Sequence, residues 1–179
     1  MAQLRNPIVS LELLLDPDTE ARIQAEWQAL ADAGLSSLAA HTAPSNRPHI
    51  TLLVRPSLPQ LTRDQLGGLV ELPMAITVGD PIFFGAGERR VLVRSVVPTE
   101  ELLRLHAAIH AIAGAGEDAA HTRPGEWTPH ISLARRIRVD AIPQALRILD
   151  GVGEATTTRA EATSLRRWDA ASASVTHLL

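Results

Sequence analysis

The segment RPHITLLV (residues 47–54) returns as TPHISLAR (residues 128–135), so Pro-His-Ile-Thr/Ser-Leu is spelled twice, with His49 and His130 81 positions apart. On a β-strand, alternate side chains point to opposite faces. His49 and Thr51 then share one face while Ile50 and Leu52 share the other, and the second copy sorts His130 and Ser132 from Ile131 and Leu133 in the same way. Each motif thus separates a polar face from an apolar one. Pro48 and Pro129 lack an N–H to donate, which suits the first position of a strand.

The repetition extends outward from the two motifs. Pro17 and Pro98 stand at the same offset of 81, as do Glu20 and Glu101. AAHTAP from Ala39 matches AAHTRP from Ala119 at an offset of 80, so one residue has been gained between each tract and its motif. This is an internal duplication, and two copies predict a pair related by an approximate two-fold axis rather than a solenoid. Strand patterns fall at residues 8–15, 50–54, 75–78, 82–84, 91–97 and 131–137, and the tract from Thr156 through Trp168 to Leu178 has room for two more. Between them, Ile23, Trp27 and Leu30 mark a helix from Pro17 to a stop at Gly34, and Leu102, Leu105, Ile109 and Ile112 mark another from Pro98 to Gly114. Shorter helices are predicted over residues 63–69 and 141–149. The expectation is a single α+β domain, residues 1–179, of two pseudo-symmetric lobes about a cleft.

Two imidazoles entering one cleft suit a reaction that needs a base and an acid, because an ordinary pKa of about 6.5 leaves one ring neutral and the other protonated near neutral pH. A phosphodiester fits this arrangement: one ring takes a proton from the attacking oxygen, the other returns one to the departing oxygen, and hydroxyl donors hold the phosphoryl oxygens. Thr51 and Ser132 are those donors. Arg55 and Arg135 follow the two motifs and are placed to neutralise phosphate charge. Arg135 lies five positions after His130, hence on the opposite face of an unbroken strand, so its role requires a bulge or bend. Trp127, three residues before His130, is a candidate to stack on a substrate base, against the alternative that it packs. Sequence does not decide which histidine is acid and which base.

The paired motifs resemble the two-histidine phosphoesterase superfamily, in particular its branch named for 2′-5′ RNA ligase and RNA 2′,3′-cyclic phosphodiesterase. The likeness covers roughly Ile8 to Arg135. It implies antiparallel sheets lining a central cleft with helices outside, no metal and no other cofactor. It also implies hydrolysis of a terminal 2′,3′-cyclic phosphate of RNA or a nucleotide to a 2′-phosphate, with 2′-5′ ligation as the reverse. By that resemblance the catalytic pair is His49 and His130, the phosphate-binding hydroxyls are Thr51 and Ser132, and the basic substrate contact is Arg135. Two rival readings stand beside it: a non-catalytic module for RNA ends or nucleotides, and an esterase for another small cyclic phosphate such as ADP-ribose cyclic phosphate.

Composition narrows the choice. The 179 residues include no cysteine, which rules out disulfides and thiolate chemistry, and net charge is −3, unlike a binder of long duplexes. Trp27, Phe83, Phe84, Trp127 and Trp168 are the only aromatics, too few for an extended base-stacking platform, so the expected partners are short RNA ends or nucleotides. No run approaches the roughly 20 apolar residues that span a bilayer, and the amino end, charged at Arg5 and Glu12, does not read as a secretory signal. A cytoplasmic monomer is expected. His106 and His110 stand at helical i, i+4 spacing without the glutamate of a His-Glu-x-x-His zinc site and are expected at a solvated helix edge. His41 and His121, in the duplicated tracts, are expected to support the cleft.

Overall fold

A computed structural model describes residues 7–152 and 157–179. Arg5 and the start of the tail at Thr156 lie outside the described residues. Each half of the chain runs strand, helix, strand, helix, strand. The first half is β1 (Val9–Leu15), α1 (Pro17–Asp32), β2 (His49–Arg55), α2 (Arg63–Leu66) and β3 (Met74–Phe84). The second is β4 (Arg89–Val96), α3 (Glu100–Ala113), β5 (His130–Arg138), α4 (Ile142–Val152) and β6 (Thr158–Asp169), with β7 (Ser174–His177) added at the end.

Local chemistry sets these boundaries. Asp16 caps α1 by accepting from the Thr19 N–H at 2.9 Å, Pro17 fills the first turn, where no N–H is needed, and Gly34 leaves the helix at φ +74°. Thr99 and Gly114 bracket α3 in the same manner. The predicted helix over 63–69 shortens to one turn, closed by a Thr62–Gln65 capping box and stopped at Gly67-Gly68. Residues 75–78 and 82–84 prove to be one strand, β3. A register shift between Val78 and Pro81 sets Gly79 and Asp80 against the single residue Ser95, and a Cβ at Gly79 would come within 2.6 Å of Ser95 Oγ.

All strand pairs are antiparallel, in the order β1-β2-β5-β4-β3-β6-β7, and β1 also pairs with β6, so the first six strands close a circuit. One lobe is β2-β1-β6 with β7 at its edge, and the other is β5-β4-β3. Each lobe therefore takes its third strand from the opposite half of the sequence. The helices cross over as well: Glu26 and Trp27 of α1 bond to Arg94 of β4 and Ser132 of β5, while His110 of α3 bonds to Leu52 of β2. A single hydrophobic cluster runs through both halves, with Leu11, Ile50, Leu52, Leu92, Ile131 and Leu133 wholly buried.

The lobes meet at β3 and β6 through a ladder from Met74–Ala162 to Val78–Thr158, and at β2 and β5 through one residue pair, Ile50 opposite Ile131. Ile50 and Ile131 are the two isoleucines of the repeated motif, so the pseudo-two-fold axis passes between them.

Two expectations change here. His106 and His110 are buried rather than solvated, because α3 lies against β2 and the loop before β5 and offers them backbone carbonyls: His106 Nε2–H donates to Thr122 O at 2.9 Å and His110 Nε2–H to Leu52 O at 3.1 Å. Arg55 does not reach the cleft. It is buried beneath the end of α3, donating to Ala113 O, Gly114 O and the Asp118 carboxylate.

Candidate active site

Both motif histidines are held alike. His49 donates from Nδ1 to the Arg47 carbonyl at 2.6 Å and His130 from Nδ1 to the Thr128 carbonyl at 2.7 Å, each two residues back along the chain. Because a carbonyl only accepts, the proton of the neutral ring sits on Nδ1 and leaves the Nε2 lone pair free. Arg47, which supplies one of these carbonyls, is clamped to Glu20 of α1 by two bonds of 2.8 and 2.5 Å. Continuing the Ile50–Ile131 register sets His49 across from Ser132 and Thr51 across from His130. Two imidazoles and two hydroxyls thus gather at one seam, all of them partly exposed.

Immediately past each hydroxyl the strand bulges. On β2, Glu12 opposes Thr51 and Leu11 opposes Leu53, so Leu52 is the extra residue; on β5, Val93 opposes Ser132 and Leu92 opposes Ala134, so Leu133 is. A bulge reverses the alternation beyond it. That reversal explains how Arg55 comes to be buried. It also supplies the bend that Arg135 required: a further shift between Leu92 and Arg90 follows, and Arg135 emerges exposed, with no hydrogen bond or ion pair among the described residues.

The carbonyls at the two bulges are bonded by tryptophans from unrelated places in the repeats. Trp27 of α1 donates its indole N–H to Ser132 O at 3.0 Å, and Trp127, in the loop before β5, donates to Thr51 O at 2.9 Å. Trp127 also lies flat on His106, centroids 4.0 Å apart and planes within 2°. One face of its ring is therefore occupied.

The surroundings of the two histidines differ. Beside His49, at 3.6 Å from its Nε2, is the buried carboxylate of Glu12, which accepts from Ser10 Oγ at 2.6 Å and from Arg166 Nε at 2.8 Å. Burial alone would raise the Glu12 carboxyl, but His49, Arg166 and these hydrogen bonds together hold it below its ordinary range. His130 instead meets the ring of Phe84 edge to face, centroids 5.0 Å apart. Burial pushes the His130 imidazole down from its ordinary value, and nearby His121 and His49 add to the push against the opposing Thr128 bond. His41 and His121 are both exposed.

Sequence reasoning missed Glu12 and Arg166. The signal available was a lone acid in the apolar strand VSLELLL, whose equivalent 81 positions later is Val93. An open depression lined by residues 67–72, Glu101 and Arg104 shares no residue with this site. Among the described residues, no helix is long and apolar enough to cross a membrane.

No curated protein matches the chain significantly. Among solved structures it is similar to Kluyveromyces marxianus Usb1, at 10% identity and a TM-score of 0.45 over 96% of each chain. It is also similar to the same protein with uridine monophosphate, at 11% identity and a TM-score of 0.45 over 97% of this chain and 98% of that one. A sequence profile of the 2′-5′ RNA ligase superfamily matches residues 16–178, nearly the whole length, and the chain belongs to that superfamily of two-histidine phosphoesterases.

Proposed function

We propose that the protein is a phosphodiesterase that hydrolyses a terminal 2′,3′-cyclic phosphate, on RNA or on a nucleotide, to the 2′-phosphate. Family membership supports a phosphodiesterase of RNA-related substrates. The observation that carries the finer reading is the matched anchoring of His49 and His130 by Nδ1 beside the Ile50–Ile131 pair, with Thr51 and Ser132 two residues along the same strands. One Nε2 takes a proton from water as its oxygen attacks phosphorus. The other, protonated, delivers its proton to the ribose 3′ oxygen as the P–O3′ bond breaks, while Thr51 and Ser132 donate to the non-bridging oxygens. Proton transfer and charge neutralisation are assigned to side chains, and no metal enters the reading. Arg135, exposed beyond the second bulge, meets the anionic end of the substrate. Trp127 contributes through Thr51, since its N–H and one ring face are already engaged.

Purified protein incubated with chelator and nucleoside 2′,3′-cyclic phosphates, short RNAs ending in cyclic phosphate, or ADP-ribose cyclic phosphate tests this directly. Release of a 2′-phosphate from the first two is expected, with a bell-shaped dependence of rate on pH. Binding without turnover would make the cleft a recognition module. Turnover of ADP-ribose cyclic phosphate alone would move the substrate class, and activity lost to chelator would overturn the side-chain mechanism.

A further inference from the structure

The two halves duplicate the histidines but not what lies beneath them, and that difference carries an assignment the motifs themselves lack. On the first lobe, Glu12 opposes Thr51 on one side and Arg166 on the other, so its side chain shares the cleft face with theirs. The equivalent position on the second lobe, opposite Ser132 and Ile82, is Val93. A carboxylate this deeply buried, with only 4% of its surface exposed, needs partners, and Arg166 together with Ser10 would satisfy it. Oε1 is nonetheless also 3.6 Å from His49 Nε2, the nitrogen not engaged by the backbone.

We propose that Glu12 is a positioning residue that makes His49 the proton donor to the leaving oxygen, which leaves His130 as the base that activates water. The inference rests on the hydrolytic reading above. Opposite charges a few ångströms apart favour each other's charged form. The charged and titratable groups around His49 are Glu12 on β1, Arg166 on β6, Arg47 with Glu20 where the preceding loop meets α1, and His130 across the seam. Glu12 is the anion at its Nε2. Among the described residues, Phe84 of β3, the Thr128 carbonyl, His121 and His49 stand around His130, with no acid among them. In the forward reaction the proton removed from water goes to His130 Nε2, the new P–O bond forms, the P–O3′ bond breaks, and the His49 proton ends on O3′. Solvent then resets the pair.

The test compares a nucleoside 2′,3′-cyclic phosphate with its analogue carrying sulfur in place of the 3′ oxygen, because a thiolate departs without needing a proton. Glu12→Gln keeps the shape and can still accept from Arg166. With the oxygen substrate its kcat should fall roughly 10- to 100-fold, the size of loss seen when a carboxylate that orients a metal-bound histidine is removed, and His49→Ala should fall further. With the sulfur substrate both losses should shrink to a few-fold while that of His130→Ala persists. Equal losses on both substrates in Glu12→Gln would reduce Glu12 to a structural partner of Arg166, and rescue of His130→Ala instead would reverse the assignment. A second readout needs no turnover. Titration of the Glu12 carboxyl, followed by carbon NMR, should move up in His49→Ala and stay in place in His130→Ala. If wild-type protein turns over neither substrate, the hydrolytic reading fails, while the NMR result alone still decides whether Glu12 and His49 are coupled.

Discussion

Across the seam the first lobe presents Ser10, Glu12 and Arg166 around His49 and Thr51, where the second presents Val91, Val93 and Ile82 around His130 and Ser132. The polar set and the apolar set occupy equivalent register positions. A substrate phosphate is itself nearly symmetric about its phosphorus, so groups that grip it serve equally well in duplicate. Bond breaking is not symmetric, because one oxygen arrives and another leaves. Duplication therefore kept the Nδ1 anchors, hydroxyls and bulges on both sides, and let the surroundings of the two rings diverge.

The largest effect should come from the rings. Replacing His49 or His130 by Ala is expected to lower kcat by about 10² to 10⁴ while leaving the unfolding midpoint near that of wild type. Near-normal turnover in one variant would make a single histidine sufficient and end the two-ring comparison. Next is the buried ion pair that ties α1 to the second lobe. Glu26→Ala leaves Arg94 buried and unpaired and should cost about 3 to 5 kcal/mol in chemical denaturation. A loss confined to activity would place that pair in the chemistry instead.

Acid should then act through α3. His106, buried under Trp127 and beside His110, is pushed down to about 4, chiefly by burial. Between pH 6.5 and about 4 the unfolded chain binds a proton that folded His106 refuses, so stability rises with pH across this window and is lost on acidification, by roughly 3 kcal/mol at this residue. His121 and His130, also lowered, act in the same direction. Urea midpoints measured across that range should show the slope, and His106→Gln should flatten it; an unchanged slope would shift the effect to the other two rings.

Finer probes compare the bulges. Trp27→Phe and Trp127→Phe each remove an indole N–H from an equivalent carbonyl and should each cost about 1 to 3 kcal/mol of stability. A large loss from only one would show that the two bulges are not equivalent supports. Ser132→Thr copies the first motif onto the second and should change the barrier by about 0.5 kcal/mol or less, read from kcat.

Much of the site was legible in the sequence, since the offset of 81 residues exposed the duplication and strand alternation sorted His49, Thr51, His130 and Ser132 onto a common face. The demand for a bend before Arg135 was legible too, and the bulge at Leu133 meets it. What escaped has a physical cause in each case. A duplicated sequence says which segments are equivalent but not which copies pair, so the exchange of β3 and β6 between lobes left no trace in it. Arg55 follows its motif as Arg135 nearly does, yet the acceptors that bury it, Ala113, Gly114 and Asp118, come from a distant turn. His106 and His110 flank an apolar helix stripe, and their burial depends on carbonyls of Thr122 and Leu52 that only the folded chain brings near. Glu12 lacks a repeat, and a search for repeats passes over what differs.

The exchanged third strands also bear on ancestry. A peptide comprising one half alone would lack the strand that completes its own sheet, and could obtain it only from a second identical peptide that needed the same loan in return. The smallest form in which such a half completes its sheet is a reciprocal homodimer carrying one motif histidine per subunit, and fusing its two genes end to end would free each copy to drift apart from the other.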